Sequence, residues 1–145
     1  MKIVVQRCKR ASVTVDNKIV GKIEDGLMLL VGFTNGDTSR EIDYMVDKVI
    51  NLRIFDDNEG IMNKSLLDTN GSILSVSQFT LYADASKGRR PSYINALSGD
   101  LAIKLYEEFN HKLKDKNIHV ETGIFGADMQ VELVNDGPIT IILEK

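Results

Sequence analysis

Residues 11–33 read ASVTVDNKIVGKIEDGLMLLVGF, and the class of the whole domain turns on them. Apolar residues alternate with polar ones on both sides of Asp16-Asn17, the pattern of half-buried strands. Asn and Asp tolerate positive φ, so the stretch predicts a tight β-hairpin at that pair. From Gly26 to Phe33 the alternation gives way to a continuous apolar run, expected of a central strand covered on both faces. Ahead of the hairpin, residues 2–8 are β-branched and apolar and read as another buried strand.

Residues 34–55 change period. Ile42, Met45, Val46, Val49 and Ile50 fall on one helical face, and Asp37, Thr38 or Ser39 can cap its start. LRIF at 52–55 returns to strand, and residues 56–71 read as loop. SILSVSQFTLYAD at 72–84 reads as one strand, followed by a basic loop, ASKGRRPSY at 85–93. A second helix is expected from Ser98 to about Lys114, with Leu101, Leu105, Phe109 and Leu113 spaced by four and Ala102 and Tyr106 beside them. A short strand, a glycine-marked loop and a longer strand follow. Near the end, Val131–Val134 and Ile139–Leu143 read as two strands with Gly137-Pro138 between them. Proline cannot donate to a ladder and belongs at a strand's first residue, an edge or a bulge. No βαβα alternation is sustained, which argues against a doubly wound nucleotide fold. The reading is a single α+β domain, residues 1–145, with a mostly antiparallel or mixed, barrel-like sheet and two main helices.

The chain has 145 residues, 43% apolar and 27% charged, with a net charge of −3. One domain of this length supports a real core without disulfides or metal. A chain of this charge is no general binder of long polyanions, and no DNA partner is expected. The one cysteine, Cys8, lies in the apolar run IVVQRC and reads as a core residue. MKIVVQRCKR ends in charges after too short an apolar run for a signal peptide. No apolar run is long enough to span a membrane, so the expected location is the cytoplasm.

The usual chemistries find little support. His111 sits among Asn110, Lys112 and Lys114 on a solvated helix face, His119 lies between Ile118 and Val120, and there is no G-x-S-x-G elbow. DDNEG at 56–60 fails as a calcium loop, because Gly60 is in the fifth position and Leu67 replaces the bidentate Glu. No zinc spacing exists, and GIFGAD lacks the Lys-Ser/Thr pair of a phosphate loop. No metal or cofactor is expected. What stands out is SVSQFTLYAD, which places Ser75, Ser77, Gln78 and Thr80 in an otherwise apolar strand. Buried hydroxyls and amides need partners. The segment is either a strand end with satisfied polar groups or a pocket wall whose main-chain N–H groups face a ligand. Lys87, Arg89 and Arg90 form the densest basic cluster, either a solvated loop or a grip on phosphates.

SQFTL (77–81), GRRPSY (88–93), TGIFGADM (122–129) and NDGPIT (135–140), in this order and spacing, resemble the signature segments of D-aminoacyl-tRNA deacylases. The opening MKIVVQRC and the hairpin-plus-strand are similar to that family too, so the resemblance covers essentially the whole chain. It implies a homodimer that hydrolyses the ester between a D-amino acid, or glycine, and the 3′ end of tRNA. It implies a cis bond at Gly137-Pro138, with that pair entering the partner subunit's pocket to reject L-amino acids. Ser77, Gln78, Phe79 and Thr80 match the motif on the opposite wall. Arg7 matches an arginine that orients the Gly-Pro segment, Met129 a pocket position, and Asn135 and Thr140 flank the pair as supporting residues. Lys87, Arg89 and Arg90 become candidate tRNA contacts.

General physics agrees with the transfer. X-Pro is the linkage where cis costs only about 0.5–1 kcal/mol over trans. D and L substrates carry the same groups, so discrimination requires a clash against the wrong one. Three rivals remain: a relative with a trans Gly-Pro bond that clears an L-amino acid from tRNA, a non-catalytic module binding the tRNA end, and a conventional serine or threonine hydrolase of small esters.

Overall fold

The computed structural model describes residues 1–145. Asp16 and Asn17 both take positive φ, 48° and 61°, and turn β1 (Lys2–Val15) into β2 (Lys18–Ile23). β3 (Gly26–Gly32) then continues down β1 in the same register, with Ala11 opposite Ile23, Cys8 opposite Gly26 and Lys2 opposite Gly32. β2 and β3 are therefore two halves of one long return arm. β3 is almost wholly buried, as its continuous apolar run requires.

The chain goes on through α1 (Ser39–Asn51), β4 (Phe55–Asp56), β5 (Met62–Lys64), α2 (Leu66–Thr69) and β6 (Ser72–Ser77). A 3₁₀ turn (Phe79–Tyr82), α3 (Gly99–Asp115), β7 (Val120–Thr122) and β8 (Gln130–Glu144) complete it. β3 pairs with β6 in parallel, and β6 with β7 in parallel, each crossover carrying a long helix. β8 runs antiparallel along β1. β7 comes back against β2, where a Cβ on Gly21 would sit 2.6 Å from Thr122 O. The result is an α+β domain with a nearly closed, barrel-like mixed sheet. The inside of the barrel holds Cys8, Ala11, Val13, Ile23, Met28, Leu74 and Val76. Burial pushes the Cys8 thiol up to about 11, which makes it an inert core residue. The opposite face of the sheet packs on α1 and α3, around Phe109, Leu29 and Met45.

α1 buries Ile42, Met45, Val46, Val49 and Ile50, the expected face, and Thr38 is the cap. Four readings change. LRIF at 52–55 is strand only at Phe55, where β4 begins. The α3 stripe runs through Ala102, Tyr106, Phe109 and Leu113, while Leu101 is exposed. A strict spacing of four drifts off a helix face of 3.6 residues per turn, so the upper end of the 101-105-109-113 row rotates outward. Residues 56–71 are not loop throughout. They form the β4–β5 hairpin and the single-turn α2, whose signal is the capping box Ser65-x-x-Asp68. Two long helices thus have a one-turn companion. The strand expected over 72–84 stops at Ser77, because β3 offers its last acceptor, Val31 O, to Gln78 N (2.8 Å).

The two capping boxes carry a pH dependence. Hydrogen bonds from Thr38 hold Glu41 below its ordinary value, and those from Ser65 do the same for Asp68. A carboxylate with a depressed folded value stabilises above its unfolded pKa of about 4 and loses that contribution as pH falls through the folded value. The Glu41→Gln/Asp68→Asn variant should therefore lose less of its urea midpoint between about pH 7 and pH 3 than the parent does.

Candidate active site

The parallel ladder of β3 and β6 ends with Val31 opposite Ser77. Crevices beyond the carboxyl ends of parallel strands are the usual ligand sites of mixed α/β sheets. Here a pocket of about 650 Å³ opens at that end. Val31, Gly32, Val76 and Ser77 are supplied by the strands, Gln78 and Phe79 by the turn that follows. Tyr93 and Leu97 form another side, and Phe125 to Met129 a third. The Tyr93–Leu97 segment is tied to the end of β3 through Leu97 N donating to Phe33 O at 2.9 Å and Thr34 Oγ1 donating to Asn95 O at 2.5 Å.

After Gln78 come the backbone N–H groups of Phe79 and Thr80, which have no acceptor within their own turn. They are the first two of a 3₁₀ turn, the orphan donors that every helix start leaves free. The Thr80 hydroxyl is engaged as an acceptor for Gln78 Nε2, and Thr80 does not line the pocket. Met129 does line it, with its sulfur against Gly123, where a Cβ would lie 2.5 Å away. Neither histidine is at the pocket. His119 pairs with Glu121 at 3.2 Å and His111 with Asp115 at 3.6 Å. Asp128 is the one carboxylate on the lining.

A second group gathers around Gly137-Pro138. The two expected strands flanking the pair are one strand, β8, and the pair is a bulge within it, not a turn. Between Gln6 opposite Thr140 and Cys8 opposite Asn135, β1 advances two residues and β8 five. Pairing with β1 on both sides of the insertion keeps the strand continuous and pushes the extra residues out. The Gly137-Pro138 peptide bond is cis and both residues are exposed. Asn135 Nδ2 closes the base of the bulge, donating to Arg7 O and Ile139 O at 2.9 Å each, while Thr140 Oγ1 donates to Asn135 Oδ1 at 3.4 Å. Arg7 is buried. Its Nη1 donates to Ile54 O at 2.7 Å, and its Nε lies 3.0 Å from Asp136 Oδ2. None of Arg7, Asn135, Gly137, Pro138 or Thr140 lines the pocket of their own chain.

A third group is the basic loop. Asp84 and Ser92 exchange N–H···O bonds of 2.8 and 2.9 Å, which close the loop at its base and leave Lys87, Arg89 and Arg90 exposed.

The model of the family described as D-Tyr-tRNA(Tyr) deacylase matches residues 4–144. The chain belongs to the D-Tyr-tRNA(Tyr) deacylase family. A D-aminoacyl-tRNA deacylase of Bacillus velezensis is 57% identical over 145 residues, covering 100% of this chain and 99% of that one. One from Brevibacillus brevis is 58% identical, with 100% of both chains covered. Among solved structures, a c-Myc DNA Unwinding Element Binding Protein superposes with a TM-score of 0.94 at 42% identity, covering 100% of this chain and 99% of that chain. The D-Tyr-tRNA(Tyr) deacylase family is one of hydrolases, and its match spans the pocket, the bulge and the basic loop alike. Of the residues singled out in the sequence, Ser77, Gln78, Phe79 and Met129 meet in the pocket. Tyr93, Leu97, Phe125 and Asp128 also line it and were not singled out. Tyr93, Phe125 and Asp128 fall within the signature segments 88–93 and 122–129, where Gly126 takes a positive φ of 77°, whereas Leu97 falls in none.

Proposed function

We propose that the chain hydrolyses the ester joining a D-amino acid, or glycine, to the terminal ribose of tRNA, releasing free amino acid and tRNA. The observation that carries this reading is the start of the 3₁₀ turn at Phe79, beside Ser77 and Gln78 on the pocket wall, where the opening N–H groups are not used within the turn. Ester hydrolysis passes through a tetrahedral oxyanion, and fixed main-chain donors stabilise that charge without reorganising. Water adds to the carbonyl carbon, the bond to the ribose oxygen breaks, and the proton lost by water ends on that oxygen. The vicinal 2′-hydroxyl of the terminal adenosine helps activate the water. Thr80 holds Gln78 in place rather than attacking, in keeping with its engaged hydroxyl.

The enantiomer is selected by Gly137-Pro138 of the partner subunit in a homodimer. Two features support this part. The pair projects on an exposed bulge, and it is absent from the lining of its own pocket. Main-chain atoms placed against the substrate's Cα reject by clash, which leaves the side-chain direction open to many D-amino acids. Lys87, Arg89 and Arg90 meet tRNA phosphates.

Thr80→Ala should keep single-turnover hydrolysis of D-tyrosyl-tRNA within about threefold of the parent, since a nucleophile's loss costs orders of magnitude more. A tRNA ending in 2′-deoxyadenosine should react about a hundredfold more slowly, within the usual range for lost general acid–base help. A Thr80→Ala collapse would restore the nucleophile, and an unchanged deoxy rate would remove substrate assistance. Hydrolysis of L- in preference to D-aminoacyl-tRNA would overturn the selectivity.

A further inference from the structure

An apolar surface at the pocket mouth is left over from this reading. Phe79 is 56% exposed, Tyr93 42% and Ile94 80%. Phe79 and Tyr93 meet edge to face, ring centroids 5.1 Å apart and planes at 66°. Both rings also line the pocket, so the surface is continuous with it. At the other end it joins the basic loop, because Tyr93 follows Ser92, which closes that loop on Asp84. Phe79 stands at the start of the 3₁₀ turn, and the Tyr93–Leu97 segment is tied to the end of β3.

We propose that Phe79, Tyr93 and Ile94 form the stacking surface for the nucleotide preceding the terminal adenosine of the tRNA's single-stranded 3′ end. This rests on the function proposed above and deepens it. The pocket is of the size that takes one ligand, the aminoacyl group with its adenosine. The strand must then leave across the mouth, and the mouth is apolar and aromatic. Aromatic faces stack on any base, and single-strand sites combine them with cations that follow the backbone. Lys87, Arg89 and Arg90 supply those cations, locally reversing the sign of a chain whose net charge is −3. That charge complementarity favours a nucleic acid occupant over an apolar protein segment.

The test compares two substrates, D-tyrosyl-adenosine and a D-tyrosyl-CCA trinucleotide. Tyr93→Ala should lower kcat/KM on the trinucleotide by about tenfold more than on the adenosine, the loss expected for one base stack. Tyr93→Phe should restore most of the difference. Equal losses on both substrates would overturn the stacking surface while leaving the deacylase reading intact. Failure of the parent to cleave either substrate or full D-tyrosyl-tRNA would instead overturn the function itself. A direct measurement needs no turnover. 2-Aminopurine in place of the penultimate base of an uncharged CCA end should be quenched on binding to the parent and to Tyr93→Phe, and not to Tyr93→Ala. Equal quenching in all three would also overturn the proposal.

Discussion

Gly137→Ala should lower kcat/KM on D-aminoacyl-tRNA by about a hundredfold while the chain still folds. Gly137 takes φ +120°, a region that L side chains rarely enter, and an added Cβ would lie 2.8 Å from Ile139 Cγ1 and 3.0 Å from Ile139 N. The Ile139 side chain can turn away, but the amide cannot. The bulge must re-form, at a strain of roughly 1–3 kcal/mol for the variant in its parent shape. That strain stays local, because β8 pairs with β1 on both sides of the bulge and Asn135 staples its base. Under the proposed function the bulge is the wall that meets the substrate's Cα. A misplacement of about 1 Å at such a contact costs on the order of a hundredfold. The ratio of D- to L-substrate hydrolysis should fall as well, since a displaced wall no longer clashes only with the wrong enantiomer. Single-turnover rates on D- and L-tyrosyl-tRNA, beside a thermal melt, measure both effects. Parent rates with an unchanged ratio would remove Gly137 from selection.

The features legible in the sequence are those written by neighbouring residues. The Asp16-Asn17 hairpin is turn chemistry, and both residues take the positive φ that the chemistry allows. The α1 face and its Thr38 cap lie within one helix and one turn of it. What the sequence hides depends on distant partners. Whether residues 131–143 are two strands or one depends on β1, which pairs with Thr140 through Gln6 and with Asn135 through Cys8. Without that partner, Gly-Pro between apolar runs looks like a turn. β6 ends where β3 has no further acceptor to give, which no feature of residues 72–84 records. In the site, the polar residues Ser77 and Gln78 betray themselves by standing in an apolar strand. Tyr93, Leu97 and Phe125 do not, because an apolar residue lining a pocket has the same composition as one filling a core. The separation of the Gly137 group from the pocket of its own chain is written in no neighbouring residue and is implied only by the family resemblance.

Gly26→Ala tests the joint on which the pocket's position depends. Its φ of +159° lies at the edge of the range that L side chains rarely adopt, so some strain is expected, but it is the smaller obstacle. The larger obstacle is space. A Cβ there would stand 1.9 Å from Ser72 O and 2.7 Å from Ser72 N, both backbone atoms of the strand beside it. Gly71 backs onto the same point, since a Cβ on it would be 3.4 Å from Gly26 Cα. Two glycines thus let the start of β6 come down onto the start of β3. From that contact the parallel ladder runs in register to Val31 opposite Ser77, so the same junction sets where the pocket wall stands. Backbone cannot rotate out of the way as a side chain can. The variant must open the Gly26–Ser72 end of the ladder, losing main-chain hydrogen bonds and the packing beneath them. The expected cost is about 4 kcal/mol, at the large end for a single substitution. In a chain of this size that lowers Tm by roughly 10 °C. Gly60→Ala is the control. It also replaces a glycine at positive φ (77°), but nothing lies within 4 Å of its Cβ position. Conformational strain alone costs roughly 1–2 kcal/mol there. Urea and thermal unfolding of the two variants side by side separate clash from strain. If Gly26→Ala proves no less stable than Gly60→Ala, the close approach of β3 and β6 is not what fixes this joint.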